Sequence, residues 1–356
     1  MVSNKLKAYN KSIRASNVYD VAEVTPITKA NSLSKQLKNN IFLKREDLQP
    51  VFSFKVRGAY NKISKLKKTS SDRPVIAASA GNHAQGVAYS AKKLGLKSII
   101  VMPITTPLIK INAVKNLGSK VIFFGDNFDE AYNHAVSLAK KENYSFIHPY
   151  DDKEVISGQG TIGKEIIEQI DSKIEAVFVP VGGGGLLAGV GAYIKSEHPE
   201  IKVIGVEPED AACLDLAIKN NKRLSLKEVG LFADGVAVKQ IGKLTFSLIR
   251  DWIDGVVTVS VDEMCAAVQD TFQETRTIPE PAGALALAGL KKYTKSKGLK
   301  SKNLIAINSG ANLNFDRLGH IVERVQLGEN KEVLLSVRIP EEKGSFRRFC
   351  KVLGKR

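Results

Sequence analysis

The chain contains 356 residues, of which 43% are hydrophobic and 25% are charged. A chain of this length is too long for one small core, so we expect two or three domains of ordinary globular composition. The formal net charge of +16 would suit an anionic partner, but the lysines are scattered along the chain and no aromatic-interleaved RNA-binding signature occurs. Nucleic-acid binding is therefore not expected.

The sequence also indicates where the protein is located and whether it contains disulfide bonds or a zinc site. No apolar run approaches the ~20 residues that span a bilayer, and the segment 1–7 lacks an apolar signal core, so we expect a cytoplasmic protein with no membrane partner. The cysteines Cys213, Cys265 and Cys350 lie far apart and form no Cys-x-x-Cys pair. Neither a disulfide framework nor a zinc site is expected.

Short β-branched runs alternate with longer segments of helical periodicity along the chain. The predicted strands are Ile41–Leu43, Val75–Ala78, Ser98–Met102, Lys120–Phe124, Ala176–Val181, Lys202–Glu207, Gly255–Ser260 and Asn303–Ser309. The predicted helices include His83–Leu94, Asn127–Lys141, Leu186–Ser196 and Pro281–Lys297. This alternation is typical of α/β folds, in which parallel-rich sheets are flanked by helices. We expect a ligand cleft between a small lobe at 53–149 and a large lobe at 1–52 and 150–327.

The first candidate site residue along the chain is Lys55. In the segment Ser53–Ala59 it stands just before a predicted helix, among small and apolar neighbours. A helix N-terminus and partial desolvation both disfavour the ammonium form, which favours a nucleophilic amine. Considered alone, a surface lysine is the simpler interpretation.

The segment Ser79–His83 follows the predicted strand Val75–Ala78 and opens a helix. It offers a hydroxyl group, an amide side chain and free backbone N–H groups in one turn, which suits a carboxylate ligand. A plain helix-capping turn explains the same segment equally well.

Four consecutive glycines, Gly182–Gly185, stand between a predicted buried strand and a predicted helix. Glycine lets the backbone approach a ligand closely, and N–H groups at a helix start favour an anion. The loop has neither the Gly-Lys-Ser/Thr ending of a nucleoside-triphosphate loop nor Gly-x-Gly-x-x-Gly spacing. It therefore predicts a site for one small phosphate without a metal, the alternative being a tight turn needed for packing.

The segment Ser309–Asn312 ends the last predicted strand of the large lobe. Ser309 would project at the carboxyl edge of a sheet, where ligands gather in α/β folds. Taken alone, this segment is as well explained by a plain turn.

In this order and spacing, the segments together resemble the fold-type II pyridoxal-phosphate enzymes and, more narrowly, the biosynthetic threonine dehydratases. The resemblance covers nearly the whole chain, and it also rests on Lys44–Pro50, Ser157–Thr161, Asp234–Val238 and Glu280–Ala286. It implies a two-lobed fold like that of the tryptophan synthase β subunit and pyridoxal 5′-phosphate as the cofactor. The implied reaction is deamination of L-threonine, by β-elimination of water, to 2-oxobutanoate and ammonia in isoleucine biosynthesis, with serine as a secondary substrate. The implied assembly is a homotetramer.

The resemblance also implies a role for each matching residue. Lys55 would bind the coenzyme covalently and then act as the base that removes the Cα proton. Phe54 would flank the coenzyme ring, Asn82 would bond its hydroxyl group, and Ser309 would face its pyridine nitrogen. The backbone donors that would hold the 5′-phosphate belong to Gly182, Gly183, Gly184, Gly185 and Leu186. The residues that would bind the substrate carboxylate are Ser79, Ala80, Gly81 and His83.

Two departures from relatives narrow the expected chemistry. The segment Ser79–His83 is called the asparagine loop below. Serine racemase carries a serine as acid and base just before the Gly-Asn of this loop, and here that position is Ala80. One-base elimination is therefore expected and two-base racemisation is not. Other relatives bind a divalent cation through a glutamate and an aspartate six residues later, but Cys213 follows Glu207 at that distance. No metal is expected there, because sulfur replaces a hard oxygen ligand.

The last 29 residues differ from the alternating pattern before them. Glu332–Ile339 reads as a strand and Gly344–Leu353 as a helix, and together 328–356 resemble the start of an ACT-like regulatory domain, which is incomplete because two elements cannot close a core. Three other functions remain open from the residues: a catabolic threonine/serine dehydratase, a cysteine synthase-like β-replacement enzyme, and a basic module that binds anions or nucleic acid.

Overall fold

Two β-sheets and the helices that cover them make up the part of the chain that the computed structural model describes, which is residues 4–70, 72–328 and 337–354. The helices are α1 (Asn4–Arg14), α2 (Asn31–Leu37), α3 (Lys55–Ser70), α4 (Asn82–Lys93), α5 (Leu108–Asn116), α6 (Phe128–Lys141), α7 (Lys153–Gln169), α8 (Gly185–Glu197), α9 (Cys213–Lys219), α10 (Lys243–Ile249), α11 (Val261–Thr275), α12 (Pro281–Lys297), α13 (Arg317–Gly328) and α14 (Ser345–Leu353). The strands are β1 (Ile27–Lys29), β2 (Asn40–Arg45), β3 (Val75–Ala78), β4 (Ser98–Met102), β5 (Lys120–Phe123), β6 (Ser145–Phe146), β7 (Ala176–Pro180), β8 (Lys202–Pro208), β9 (Gly255–Val259) and β10 (Asn303–Asn308).

The two sheets are almost wholly parallel. The larger has the strand order β1-β2-β10-β7-β8-β9 and the smaller has the order β5-β4-β3-β6. Only the edge pair β1–β2 is antiparallel among the strands described. The predicted α/β class with parallel-rich sheets is confirmed. Below, the part of the chain that carries the smaller sheet is called the small lobe, and the part that carries the larger sheet is called the large lobe.

The eight strands predicted before residue 310 are all present, with ends that differ by no more than two residues. They were recognisable because strands covered by helices on both faces are continuous apolar runs. Every residue of β3, β4 and β7 is buried. The four predicted helices are also present, and α12 has the predicted bounds, with Pro281 in its first turn and Gly298 in the left-handed conformation after its end.

The segment Ser157–Thr161 lies inside α7 and serves helix packing. A Cβ atom at Gly158 would lie 2.7 Å from the Arg57 carbonyl oxygen of α3, and one at Gly160 would lie 2.9 Å from the Gly189 carbonyl oxygen of α8. These separations are below van der Waals contact, so only glycine allows the three backbones to approach this closely. The start of α3, which carries Lys55, is therefore held against α7 by backbone contact.

The chain's last described element is α14, which confirms the predicted helix there. Residues 332–336 of the predicted strand Glu332–Ile339 lie outside the described residues, and its described end, Val337–Ile339, is irregular. For these three residues the prediction is wrong, because a strand needs a hydrogen-bonded neighbour and none pairs with them in the described part. Across the described helices, none combines the length and the apolar character that a membrane crossing requires.

Candidate active site

A cavity of about 600 Å³ lies between the lobes at the carboxyl ends of β3, β7 and β10. Parallel strands deliver the loops that follow them to one edge, which is where α/β folds form ligand sites. The structure brings all the predicted site residues to this cavity: Phe54, Lys55, Ser79, Ala80, Gly81, Asn82, His83, Gly182, Gly183, Gly184, Gly185, Leu186 and Ser309. Residues separated by more than 250 positions in sequence thus face a single ligand space.

Lys55 is the first residue of α3 and contributes its amine to the cavity. Its Nζ donates a hydrogen bond to the Pro149 carbonyl oxygen at 3.3 Å and lies 5.2 Å from the centre of the Phe54 ring. Burial lowers the pKa of Lys55 to about 8, although the Glu280 carboxylate opposes that shift. A lowered pKa makes the neutral, nucleophilic amine accessible near neutral pH.

The backbone that carries Lys55 is anchored by a buried ion-pair network. Two residues further along α3, Arg57 is fully buried and forms ion pairs with Glu46 and Glu165, and Glu165 also pairs with Lys44. Burial alone would lower the pKa of Arg57, but the two carboxylates raise it above its usual value. The charges are therefore retained, and they tie α3 to β2 and to α7.

The glycine loop joins β7 to α8, and its carbonyl groups are hydrogen-bonded to other parts of the chain. The Gly183 carbonyl oxygen accepts hydrogen bonds from Thr245 Oγ1 at 2.8 Å and from the Gly242 N–H at 3.3 Å, and the Gly182 carbonyl oxygen accepts from Cys213 Sγ at 3.5 Å. In a trans peptide the N–H points opposite to the carbonyl, so the N–H groups of Gly183 and Gly184 face away from these partners. In the described part of the chain neither N–H has an acceptor, and unpaired donors beside a helix N-terminus suit an anion.

Two features require glycine in this loop. Gly184 has a φ of +89°, in the left-handed region. A Cβ atom at Gly183 would overlap the ring of Tyr150, which packs directly against the loop. The loop can take this shape only with glycine, and its two unpaired N–H groups fit a small phosphate group.

The asparagine loop follows β3. The Gly81 N–H donates to Ser79 Oγ at 3.1 Å, which leaves the Ser79 hydroxyl hydrogen free to donate to a ligand. Asn82 opens α4, and its Nδ2 donates to Glu280 Oε1 at 2.6 Å. A small-lobe amide is thereby joined to a large-lobe carboxyl group.

The His83 ring is hydrogen-bonded to the backbone of another segment. Its Nε2 lies 2.9 Å from the Ile147 carbonyl oxygen, and since a carbonyl only accepts, this ring nitrogen carries the proton. Burial and the nearby Lys55 charge lower the pKa of His83 to about 3, so the ring is neutral. Any contribution of His83 to ligand binding comes from its backbone.

Ser309 lies directly after β10 and is buried. Its Oγ donates to the Ala282 carbonyl oxygen at 3.2 Å, and its own carbonyl oxygen accepts from the Phe54 N–H at 3.2 Å. Ser309 is a neutral residue, so it lacks the negative charge with which an aspartate would hold a facing ring nitrogen in the protonated form.

Glu207 and Cys213 lie together behind the glycine loop. The Glu207 carboxylate accepts from the N–H groups of Leu214 and Asp215, both at 2.8 Å, and so caps α9. Burial raises the pKa of Glu207 to about 7. Among the described residues, no cluster of three His, Cys, Asp or Glu side chains is placed to hold a metal ion. The expectation of no metal stays a prediction.

The cavity wall also holds residues without a predicted role, among them Tyr150, Glu280 and Asn312. Glu280 is a lone acidic residue at the start of an apolar helix, and burial raises its pKa to about 7. That isolated acid was a signal in the sequence, but its partner Asn82 is 198 positions away.

Comparison with known protein families identifies the family of this chain. The model of the family described as pyridoxal-phosphate dependent enzyme matches residues 18–310. The chain belongs to the pyridoxal-phosphate-dependent enzymes. The cofactor predicted from the sequence is confirmed, and the unpaired loop donors and the buried amine of Lys55 fit it.

The relatives narrow the family. The biosynthetic L-threonine dehydratase of Burkholderia multivorans is 51% identical over 98% of this chain and 69% of its own length. The biosynthetic chloroplastic threonine dehydratase 1 of Solanum lycopersicum is 53% identical over 97% of this chain, which spans 57% of that relative. The solved processed form of threonine deaminase isoform 2 from Solanum lycopersicum superposes with a TM-score of 0.89 at 48% identity, covering 92% of this chain and 90% of that one. The resemblance to biosynthetic threonine dehydratases is confirmed, and the chain is an enzyme of this group.

Proposed function

We propose that this chain deaminates L-threonine to 2-oxobutanoate and ammonia, with L-serine as a second substrate. The observation that carries the proposal is the Lys55 amine, with its lowered pKa, in the same cavity as the unpaired N–H groups of the glycine loop. The substrate class comes from the relatives, which are named threonine dehydratases.

The described residues divide the work of holding the cofactor. Bound pyridoxal phosphate supplies the electron sink that makes the substrate Cα proton acidic. The N–H groups of Gly183 and Gly184 would hold the phosphate, and Asn82 would donate to the 3-hydroxyl oxygen on the cofactor ring. Ser309 would face the ring nitrogen without enforcing its protonation, which favours prompt loss of a β-substituent.

Lys55 is the proposed catalytic base. Its Nζ would accept the Cα proton once the substrate amine has displaced it, and the Pro149 carbonyl, at 3.3 Å, orients that nitrogen. The Lys55 ammonium formed in this way would return the proton to the β-hydroxyl, which leaves as water, and hydrolysis of the released enamine yields the keto acid and ammonia. Ala80 lines the same cavity and has no proton to give, so Lys55 would be the one acid–base group at Cα.

The asparagine loop is the proposed site of the substrate carboxylate. Ser79 keeps a free hydroxyl hydrogen, and the first turn of α4 has N–H groups without acceptors in the helix. Ala80, Gly81 and His83 would contribute through their backbone. Fixing the carboxylate here would place the Cα–H bond in reach of Lys55, because both line one cavity.

Four wider proposals rest on the sequence, chiefly on the family resemblance. The chain would act in the first step of isoleucine biosynthesis, in the cytoplasm, as a homotetramer, and 328–356 would begin an ACT-like regulatory domain. The lobe boundaries proposed from the sequence are 53–149 for the small lobe, with 1–52 and 150–327 forming the large lobe. Sedimentation of the holoenzyme tests the assembly.

The proposal is tested by following 2-oxobutanoate formation from L-threonine with the purified holoenzyme. Wild-type protein should release keto acid and ammonia in equal amounts, and Lys55→Ala should release neither. Lys68→Ala, which changes an exposed lysine of the same helix, is the matched control and should retain wild-type turnover. Equal activity of Lys55→Ala and wild type would overturn the assignment.

A further inference from the structure

Both ends of the Asn82 amide are hydrogen-bonded to side chains of the large lobe. Its Nδ2 donates to Glu280 Oε1 at 2.6 Å, and its Oδ1 accepts from Asn312 Nδ2 at 2.6 Å. Asn312 Nδ2 also donates to the Val51 carbonyl oxygen at 2.9 Å. Two large-lobe side chains therefore meet one small-lobe amide inside the cavity.

These contacts determine which way the Asn82 amide points. A carbonyl oxygen only accepts, so the Asn312 atom beside Val51 must be the NH₂ group. The Asn82 atom beside that NH₂ must then be the oxygen, which leaves the Asn82 nitrogen toward Glu280. The orientation follows from the network and does not depend on distinguishing nitrogen from oxygen directly.

One donor of the amide remains available. Asn82 Nδ2 carries two hydrogens, Glu280 takes one of them, and no second acceptor lies beside it in the described part of the chain. We propose that Glu280 and Asn312 are positioning residues that lock the Asn82 amide, so that its free N–H is presented to the 3-hydroxyl oxygen of the cofactor. This inference depends on one part of the proposed function, namely that Asn82 donates to that hydroxyl oxygen.

The surroundings of Glu280 suit this role. The side chain is buried, and a Cβ atom at Gly310 would lie 2.8 Å from its Oε1, so the glycine leaves room for the carboxyl group. As the residue before α12, Glu280 makes no capping hydrogen bond with its side chain. The carboxyl group is thus directed to the cavity rather than to its own helix.

Loss of either partner should free the amide to rotate. Asn312→Asp keeps the shape of the side chain but sets an oxygen against Asn82 Oδ1, which favours the flipped amide. In the flipped amide, Asn82 Oδ1 would face the 3-hydroxyl oxygen of the cofactor, and the N–H donor would be lost. Loss of one such hydrogen bond, with an acceptor left facing an acceptor, costs about tenfold in affinity.

The test measures cofactor affinity without any substrate. Apoprotein is titrated with pyridoxal 5′-phosphate and, separately, with its 3-deoxy analogue, which lacks the 3-hydroxyl group. Wild-type protein should prefer the natural cofactor, and Asn312→Asp and Glu280→Ala should each reduce that preference about tenfold. Glu280→Gln retains an acceptor and should keep the preference within about threefold.

Asn314→Asp is the matched control, because Asn314 lines the same cavity and its side chain makes no hydrogen bond within the described chain. It adds the same charge as Asn312→Asp and should leave the preference unchanged. Equal weakening of both cofactors in Asn312→Asp and Glu280→Ala would show a merely structural role and overturn the proposal, as would an unchanged preference in both folded variants. Since no threonine is present, failure of the proposed reaction would not affect this result.

Discussion

Lys55 and Pro149 are joined by a hydrogen bond from the lysine Nζ to the proline carbonyl oxygen, at 3.3 Å. The next residue, Tyr150, packs its ring against the glycine loop. One short segment of chain thus supports both the Lys55 amine and the proposed phosphate site. Its own conformation is held by His148, whose Nδ1 accepts from the Tyr150 N–H at 3.2 Å and the Asp151 N–H at 2.8 Å.

The contact between Tyr150 and the glycine loop predicts the effect of one methyl group. Gly183→Ala would place a Cβ atom inside the Tyr150 ring and displace the loop N–H groups. We expect cofactor binding to weaken at least about tenfold, the scale of one or two lost charge-assisted hydrogen bonds. Equilibrium dialysis with pyridoxal phosphate measures this. Gly319→Ala, where a Cβ atom would meet open space, is the control, and equal affinities of the two variants would contradict the account.

The lowered pKa of Lys55 predicts how cofactor capture depends on pH. The neutral amine is the form that attacks an aldehyde, so the association rate should rise as pH increases through about 8. Glu280→Gln removes the carboxylate that raises the pKa of Lys55, so the midpoint should move to lower pH. Stopped-flow mixing of apoprotein with pyridoxal phosphate across pH 6 to 10 would show this, and a midpoint near the ordinary lysine value would contradict the prediction.

The methyl group of Ala80 predicts the stereochemical outcome with serine. With no acid at this position, wild-type protein should form pyruvate from L-serine and no measurable D-serine. Ala80→Ser places a hydroxyl group in the same cavity as Lys55 and should introduce slow racemisation. Chiral chromatography of recovered serine decides the matter; D-serine from wild type at a rate near that of pyruvate would refute the one-base mechanism.

The buried network around Arg57 predicts a large stability effect. Arg57→Ala would leave the Glu46 and Glu165 carboxylates buried without their main partner, which typically costs about 3–5 kcal/mol. Urea unfolding of the apoprotein measures the change in free energy of unfolding. Lys65→Ala, which removes a half-exposed partner of Glu154 on the same helix, should cost under about 1 kcal/mol. Similar losses in both variants would show that burial does not govern the effect.

Much of the fold was predictable because helix-covered parallel strands are apolar runs, as β3 and β7 illustrate. The strands β1 and β6 were missed, since three and two residues are too few to show a pattern. In the site, the glycine loop was predictable because its local geometry requires glycine, whereas the role of Lys55 was expected only from the family resemblance.

The contacts of Glu280, Asn312 and Tyr150 were not predictable, because tertiary packing alone brings them to the cavity. Asn312 meets Asn82 across 230 positions of sequence, and no local pattern records such a pairing. The direction of the His83 ring was hidden for the same reason, since its partner Ile147 lies on another segment. Residue identity predicted which groups form the site, and packing determined how they are oriented.

The most direct test of the account asks which residue carries the cofactor. Holoenzyme is reduced with borohydride, digested, and its peptides are sequenced by mass spectrometry. The account predicts a single phosphopyridoxyl group, on Lys55, and none on that peptide after reduction of Lys55→Ala. Modification of a different lysine, or an even spread over the many surface lysines, would contradict the assignment of Lys55 and of the cavity built around it.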